Sequence, residues 1–242
     1  MSQIRSDLGW STRERIVVRG KDLPGEILGT LNLGDMAYFE LTGKFPSEKQ
    51  SRLFNAMAVT LVEHGVTPSA LAARLTYLGA PEAMQAAVAA GLCGLGSVFV
   101  GSMEGCAKLL SEYLTEGAEP AAVAKKIVSE HKRIPGLGHP LHKPVDPRTK
   151  RLFELARETG FYGRYCQLVE ALGKEKNLVV NATGAIGALA CELGLDWRAV
   201  RGIGVMARAV GLVGHLLEES RQPMAQTVWH QVEEQASQHL KK

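Results

Sequence analysis

Residues 132–148 combine imidazoles, cations and glycines in one irregular segment, KRIPGLGHPLHKPVDPR, whose residue types could bind an anion and move a proton. Gly136 and Gly138 let backbone N–H groups come close to a ligand, and guanidinium or ammonium groups pair with phosphates and carboxylates. A long irregular stretch in a helical protein predicts a binding loop, with a solvated basic loop as the alternative. The basic side chains in this segment and just after it are Lys132, Arg133, His139, His142, Lys143, Arg148, Lys150 and Arg151.

The glycine pair of this segment is not part of a nucleotide-binding motif, because no strand precedes it and neither a Rossmann fingerprint nor a P-loop fits. Lys and Arg together number 28 against 25 Asp and Glu, which gives a formal net charge of +3. This excess is too small and too scattered to form a nucleic-acid footprint, so no nucleic-acid partner is expected. The histidines lack the spacing of a structural zinc site, so no metal is expected either.

Helical patterns dominate the 242 residues, which are enough to bury one large core or two small ones. Ser47 and Gln50 form a capping box, Asp196 is an N-cap, and prolines open several helices. Strand signals are almost confined to residues 15–18. The sequence therefore predicts an all-α protein with at most a short N-terminal β-hairpin. The predicted helices lie near residues 47–63, 68–78, 81–103, 104–114, 119–130, 147–156, 166–172, 178–193, 196–219 and 224–239.

The stretch 83–103 carries no charge but consists of Ala and Gly more than of Leu, Ile or Phe. It is interpreted as a buried helix packed closely against others, and no membrane association is expected. The polar N-terminus lacks the apolar run of a signal peptide, so a cytoplasmic location is expected. The four cysteines form no C-x-x-C pair and are expected to be reduced core thiols.

Five segments, taken in order, resemble the citrate synthase superfamily, and most closely its short members, citryl-CoA lyase and the lyase module of ATP-citrate lyase. This resemblance implies an all-helical, citrate synthase-like fold that forms a homodimer or a higher homo-oligomer. It places a large domain at 1–104 and 191–242, which holds the dimer interface, and a smaller domain at 105–190 that closes over the cleft between them. The five segments are EHGVTPSALAAR (63–74), GSVFVGSME (96–104), IPGLGHP with DPR (134–140 and 146–148), NLVVNATG (177–184) and ARAVGLVGH (207–215).

The resemblance also implies an activity: the family makes or breaks a carbon–carbon bond between an acyl-CoA thioester and an oxo acid through a thioester enol. His64 and His139 match histidines that hold the oxo or hydroxy oxygen. Carboxylate binding falls to Arg148, Arg208 and, across the dimer, Arg221, while Phe99 and Asn181 also occupy substrate positions. Coenzyme A, as the acyl-CoA substrate, is the expected cofactor, and its binding is assigned to Arg133, Pro135, Gly136, Leu137, Gly138 and Lys143.

Two departures from the family pattern affect the expected chemistry. Phe99 replaces the histidine that stabilises the thioester enol, a change that citryl-CoA lyase modules share. Thr183 replaces the aspartate that exchanges the proton at the thioester α-carbon, and a hydroxyl group alone is no general base near neutral pH. The candidates for a substitute base are His142, which is favoured, Asp146 and Glu104.

The sequence is compatible with three functions. The first is a citryl-CoA lyase-like enzyme that releases acetyl-CoA and an oxaloacetate-like oxo acid. The second is a divergent acyl-CoA enzyme, such as a thioester hydrolase, decarboxylase or dehydratase, whose reaction needs no α-carbon base. The third is a non-catalytic acyl-CoA-binding subunit. The joint presence of His64, His139, Arg148 and Arg208 argues against the third, since binding of coenzyme A alone needs no carboxylate clamp.

Overall fold

A computed structural model describes residues 4–241, and helices form most of that part of the chain. This confirms the all-α class. A single π-helical turn, Leu23–Ile27, follows a small N-terminal sheet, and a short 3₁₀ turn, Gln238–Leu240, ends the described chain. The α-helices between them are α1 Leu33–Thr42, α2 Glu48–Val62, α3 Pro68–Gly79, α4 Met84–Cys93, α5 Gly101–Tyr113, α6 Pro120–Glu130, α7 Pro147–Thr159, α8 Arg164–Lys176, α9 Ala182–Glu192, α10 Trp197–Arg221 and α11 Ala225–Ser237.

The N-terminal sheet has three short antiparallel strands in the order β1 Gly9–Ser11, β2 Ile16–Val18 and β3 Lys21–Asp22. It contains one strand more than the predicted hairpin. Arg19 and Gly20 both adopt a positive φ, 46° and 80°, which turns the chain tightly enough for β3 to pair with β2.

Side-chain caps start several helices where the sequence predicts them. At α2, Gln50 N donates to Ser47 Oγ at 3.3 Å and Ser47 N donates to Gln50 Oε1 at 2.9 Å, so the capping box is complete. Asp146 and Asp196 accept the backbone N–H two residues later, at 3.0 and 2.9 Å, and cap α7 and α10. These caps confirm the predicted starts.

The uncharged stretch 83–103 is not one buried helix, and that interpretation was wrong. Helix α4 ends at Cys93, residues 94–100 form an irregular connection, and α5 begins at Gly101. Within α4 only Ala87 and Gly91 are buried. Gly94 and Gly96 lack side chains that would stabilise a helix, so the chain leaves α4 at this point. Helix α1, whose start is capped by Asn32, was not predicted from the sequence.

Helix α10 lies at the centre of the fold and packs against α2, α3, α4, α5 and α9. Among the described helices it alone is long and apolar enough to cross a membrane by length and composition, and half of its most apolar stretch is buried inside the fold. Its buried face also carries Arg208, His215 and Glu219. This face therefore positions polar side chains within the core.

Helices α5 and α9 pack closely together because glycine lets their backbones approach. An added Cβ at Gly187 would lie 2.9 Å from Met103 O. The predicted domain boundaries, 104/105 and 190/191, fall inside α5 and α9, which are both continuous helices. The division into two domains stays a prediction.

The cysteines largely match the expectation of reduced core thiols. All four are free, and Cys106, Cys166 and Cys191 are buried. Burial raises the pKa of the Cys106 and Cys166 thiols, which keeps them protonated. Cys93 is exposed, so the prediction was wrong for this residue.

Candidate active site

A cavity of about 300 Å³ lies where four parts of the chain meet: the end of α2, the connection before α5, the glycine segment and the start of α9. We call it the acid cavity. It brings together most of the predicted catalytic and substrate-binding residues. Those that line it are His64, Phe99, His139, Arg148, Asn181, Thr183 and Arg208, and Gly138, which was predicted to bind coenzyme A, lines it as well.

His139 is held by the backbone of its own loop. Its Nδ1 accepts the N–H groups of Leu141 and His142 at 3.1 and 2.9 Å, while Arg148 Nη2 lies 3.4 Å from Nε2. The two shorter hydrogen bonds at Nδ1 favour the neutral ring with its proton on Nε2. The pKa of His139 is lowered by burial and by the charges of His142 and Arg148. Near neutral pH, His139 is therefore a neutral imidazole whose Nε2–H is available to hydrogen-bond a substrate oxygen.

Arg148 is fixed by the fully buried carboxylate of Asp146. Arg148 donates from its Nε at 3.0 Å and from its Nη2 at 2.8 Å, and Ala182 N at the start of α9 donates at 3.2 Å. Burial raises the pKa of Asp146, but these hydrogen bonds and the Arg148 charge outweigh it and lower the pKa overall. Asp146 is thus an occupied acceptor that holds Arg148 against the cavity, which disfavours it as the substitute base.

Thr183 presents an acceptor to the cavity. Its hydroxyl donates to Asn181 Oδ1 at 2.6 Å, and the same oxygen accepts the N–H groups of Thr183 and Gly184 as the N-cap of α9. Asn181 Nδ2 donates to Gly138 O at 2.8 Å and ties α9 to the glycine segment. Because the Thr183 proton is already used, only its lone pairs face a ligand.

Arg208 brings a desolvated cation to the opposite side of the acid cavity. It is 8% exposed, and within residues 4–241 its guanidinium makes one hydrogen bond, from Nε to Leu61 O at 3.2 Å, and no ion pair. Burial lowers its pKa, and the Glu63 charge opposes this change. A buried guanidinium with free donors favours an anionic ligand.

His64 faces the same cavity, and its pKa is lowered by burial and by the positive charges of Arg148 and Arg208. The acid cavity therefore combines two guanidinium groups with two imidazoles that are neutral near pH 7. This arrangement suits a carboxylate next to a hydroxyl or carbonyl oxygen.

Glu63 is a cavity residue that the sequence analysis did not select. Its Oε1 accepts the backbone N–H groups of His64 and Gly65 at 2.8 and 2.6 Å. The local signal was a carboxylate directly before the candidate histidine, with a glycine, which favours a turn, directly after it.

A larger cavity of about 750 Å³ adjoins the acid cavity and shares Val98, Ser102 and Asn181 with it. We call it the loop groove. Of the predicted coenzyme A-binding residues, it is lined by Arg133, Pro135, Gly136 and Leu137. An added Cβ at Gly136, whose φ is 86°, would overlap Gly184 Cα, so a glycine is needed here to bring the loop against α9. The other cations on its walls are Lys108, Lys132, Lys176 and Arg201.

Four further candidates also lie outside the acid cavity. The His142 ring stacks on His139 with centroids 4.3 Å apart but lines neither cavity. Lys143 lines a third cavity of about 830 Å³ on the other side of the glycine segment. Glu104 pairs with Arg201 in the loop groove. Arg221 is exposed at the end of α10 and lines none of these cavities, so its role across a dimer stays a prediction.

The part of the chain that the structure describes contains no cluster of side chains suited to bind a metal ion. Among residues 4–241, no group of three or more His, Cys, Asp or Glu side chains is placed to hold a metal ion.

Fold and site together define a helical protein with a cationic cavity beside a longer groove under a glycine loop. The citrate synthase C-terminal domain family matches residues 27–228. The chain belongs to the citrate synthase family.

Known proteins resemble both the fold and the sequence. A citryl-CoA lyase from Hydrogenobacter thermophilus is 34% identical with a TM-score of 0.82, over 89% of this chain and 86% of that one. An ATP citrate lyase from Methanothrix soehngenii, solved with citrate and coenzyme A, shares the fold at 21% identity and a TM-score of 0.75, over 91% of this chain and 39% of that one.

Curated relatives extend the comparison. A probable ATP-citrate synthase from Dictyostelium discoideum is 28% identical over 71% of this chain. The chain spans 31% and 50% of the length of the curated relatives that match first. Taken together, these similarities support a citrate synthase-like, coenzyme A-dependent carbon–carbon lyase or synthase.

Proposed function

We propose that the protein is a citryl-CoA lyase-like enzyme that breaks, or in reverse forms, the bond between an acetyl-CoA unit and an oxaloacetate-like oxo acid. One observation carries the proposal: His64, His139, Arg148 and Arg208 share one cavity that opens into the loop groove. The likeness to a citryl-CoA lyase over most of both chains supports it. In this proposal Arg148 and Arg208 hold the carboxylates, and the loop groove holds coenzyme A.

Cleavage needs an acceptor for the hydroxyl proton of a 3-hydroxyacyl thioester. When that proton leaves, the carbon–carbon bond breaks, the hydroxyl carbon becomes the oxo carbon, and the electron pair forms a thioester enolate. The unprotonated nitrogen of His139, Nδ1, already accepts two backbone N–H groups, so it cannot take the hydroxyl proton. We therefore assign the Nε2–H of His139 as a hydrogen-bond donor to the substrate hydroxyl oxygen. The ring of His64 makes no hydrogen bond within residues 4–241, and we assign it as the acceptor of the hydroxyl proton.

The α-carbon proton is the step that favours a second candidate. The Thr183 hydroxyl is no general base near neutral pH. His142, the favoured substitute, lines neither cavity, Asp146 already accepts several hydrogen bonds, and Glu104 is paired in the loop groove. A divergent acyl-CoA enzyme, such as a thioester hydrolase, decarboxylase or dehydratase, would not need an α-carbon base. A non-catalytic acyl-CoA-binding subunit is the third candidate, and the buried guanidinium of Arg208 in the acid cavity argues against it.

A homodimer or a higher homo-oligomer is part of the proposal. Met206, Val210, Val213 and Leu217 are exposed in a single chain and recur at helical spacing on one side of α10. Such an apolar stripe on a soluble helix is typical of a helix–helix interface.

The test is to incubate the protein with citryl-CoA and identify the products by mass spectrometry. Acetyl-CoA and oxaloacetate, lost in His139→Ala and kept in His230→Ala on exposed α11, would support the lyase. Free coenzyme A and citrate would indicate the hydrolase instead. If the wild type leaves citryl-CoA intact and the Thr183→Asp variant cleaves it, the wild type acts on another ester.

A further inference from the structure

We propose that Arg74, His215 and Glu63 form a chain of positioning residues that sets the place of His64 in the acid cavity. Arg74 on α3 is 1% exposed and is the largest of the fully buried side chains. Its Nη1 donates to Glu219 Oε2 at 2.7 Å, and its Nη2 also pairs with Glu218. The guanidinium is therefore held from one side by carboxylates of α10, and its remaining donors point to His215.

Arg74 determines which nitrogen of His215 carries the proton. Its Nε and Nη2 lie 3.2 and 2.9 Å from His215 Nδ1. A guanidinium has donors and no acceptor, so Nδ1 must accept and the ring proton lies on Nε2. That N–H faces Glu63 Oε1 at 3.1 Å. Because Arg74 fixes the ring and its tautomer, His215 donates from Nε2 to the Glu63 carboxylate.

Glu63 then fixes the turn that carries His64. The same Oε1 accepts the backbone N–H groups of His64 and Gly65. Burial alone raises the pKa of Glu63, but these two hydrogen bonds and His215 lower it overall, so the anchor is a carboxylate near neutral pH. Without it, this exposed turn would have only its own short backbone contacts.

One face of α10 contacts this turn at three successive points. Arg208 donates to Leu61 O, an added Cβ at Gly211 would overlap Val62 O, and His215 bonds Glu63. Positions 208, 211 and 215 follow helical spacing, so a single rigid helix holds the end of α2. Because α3 supplies Arg74 to the same face, the place of His64 depends on residues distant in the sequence.

This inference rests on the proposed function only for its kinetic readout. The test compares His215→Phe, which keeps a ring but no hydrogen bond, with His215→Gln, whose amide can accept from Arg74 and donate to Glu63. Glu63→Gln is the second variant, and His230→Phe on exposed α11 is the matched control. The readouts are the ring NMR signals of His64 in the ligand-free protein, kcat and KM for citryl-CoA, and thermal stability.

We expect His215→Phe to shift the His64 signals and to lower kcat about 10²-fold with KM within about twofold, as a small misplacement of a reacting group does. His215→Gln should restore both the signals and the rate, and His230→Phe should change neither. Unchanged His64 signals in both His215→Phe and Glu63→Gln would overturn the proposal. If the wild type turns over no citryl-CoA, the proposed function fails, and the NMR signals still decide the positioning role.

Discussion

The two histidines of the acid cavity are held in different ways. On the loop side, formed by residues 134–148 and the start of α9, the Nδ1 of His139 accepts N–H groups two and three residues away. The helix side is formed by the end of α2 with α3 and α10. There, the turn that carries His64 is held by contacts between Arg74 and His215, 141 residues apart in sequence, and between His215 and Glu63, 152 residues apart. One half of the site is thus built by a short segment, and the other by the tertiary fold.

Because the two sides are built differently, substitutions on them should affect stability and ligand binding in different ways. Substitutions on the loop side disturb a local structure that is tied to α9 at a few points, among them Asp146 and Asn181. Substitutions on the helix side remove side chains from the core, where long helices already fix the backbone. We therefore expect substitutions on the loop side to lower both stability and ligand binding. Substitutions on the helix side should weaken ligand binding without a matching loss of stability.

The largest effect is expected for Asp146→Asn on the loop side. An uncharged amide cannot accept all four hydrogen bonds that Asp146 receives, and it leaves Arg148 without its ion pair. Breaking a buried pair of this kind lowers the free energy of unfolding by about 3–5 kcal/mol. Asp196→Asn, at an exposed N-cap, should cost almost nothing because Asn caps as well as Asp. Urea denaturation of both variants measures this difference, and equal losses would contradict it.

The same pair gives a pH dependence with a defined sign. The pKa of Asp146 is lowered in the folded protein, so its stabilisation is present above the ordinary pKa of Asp, about 3.9, and is lost as the pH falls through the folded value. The stability difference between wild type and Asp146→Asn should therefore be constant from about pH 5 to 7 and shrink in more acidic solution. A difference that grows on acidification would show that Asp146 is not the charged anchor.

Gly136→Ala tests the contact between the loop side and α9. Gly136 and Gly138 both have a positive φ, 86° and 84°, but only at Gly136 would a Cβ overlap Gly184, while the space at Gly138 is open. Gly138→Ala should cost about 1–2 kcal/mol for the backbone alone. Gly136→Ala should cost about 1–3 kcal/mol more for the overlap. Equal unfolding midpoints would mean that the loop does not press on α9.

Arg208→Met is expected to separate stability from binding on the helix side. Arg208 is a buried cation with no ion pair in the described chain, so an apolar side chain of similar length should raise the free energy of unfolding by about 1–2 kcal/mol. The same change should weaken binding of a carboxylate ligand about 10–100-fold, as expected for a lost charged hydrogen bond. Calorimetric titration with citrate and thermal unfolding measure the two effects. A variant that loses both stability and binding would place Arg208 among the structural residues.

The sequence predicted the loop side better than the helix side because the information for the loop side is local. Glycines, prolines and clustered basic side chains mark residues 132–148 as a binding loop without any knowledge of the fold. The uncharged stretch 83–103 has no periodic polar residues, so its pattern did not show that α4 ends at Cys93. Arg74 and His215 were not selected, since a buried ion pair between distant helices leaves no spacing signal in one sequence.

The smallest expected effect concerns Thr183, where the loop side meets α9. Thr183→Val keeps the shape and removes the hydroxyl that donates to Asn181 Oδ1, while two backbone N–H groups still bond that oxygen. The loss should be about 0.5–1.5 kcal/mol, the usual value of one hydrogen bond. Thr183→Ser keeps the donor and serves as the control in urea denaturation. If Thr183→Val instead unfolds as easily as Asp146→Asn, the Asn181 cap depends on the hydroxyl, and Thr183 is a structural residue of the loop side rather than an acceptor kept for a ligand.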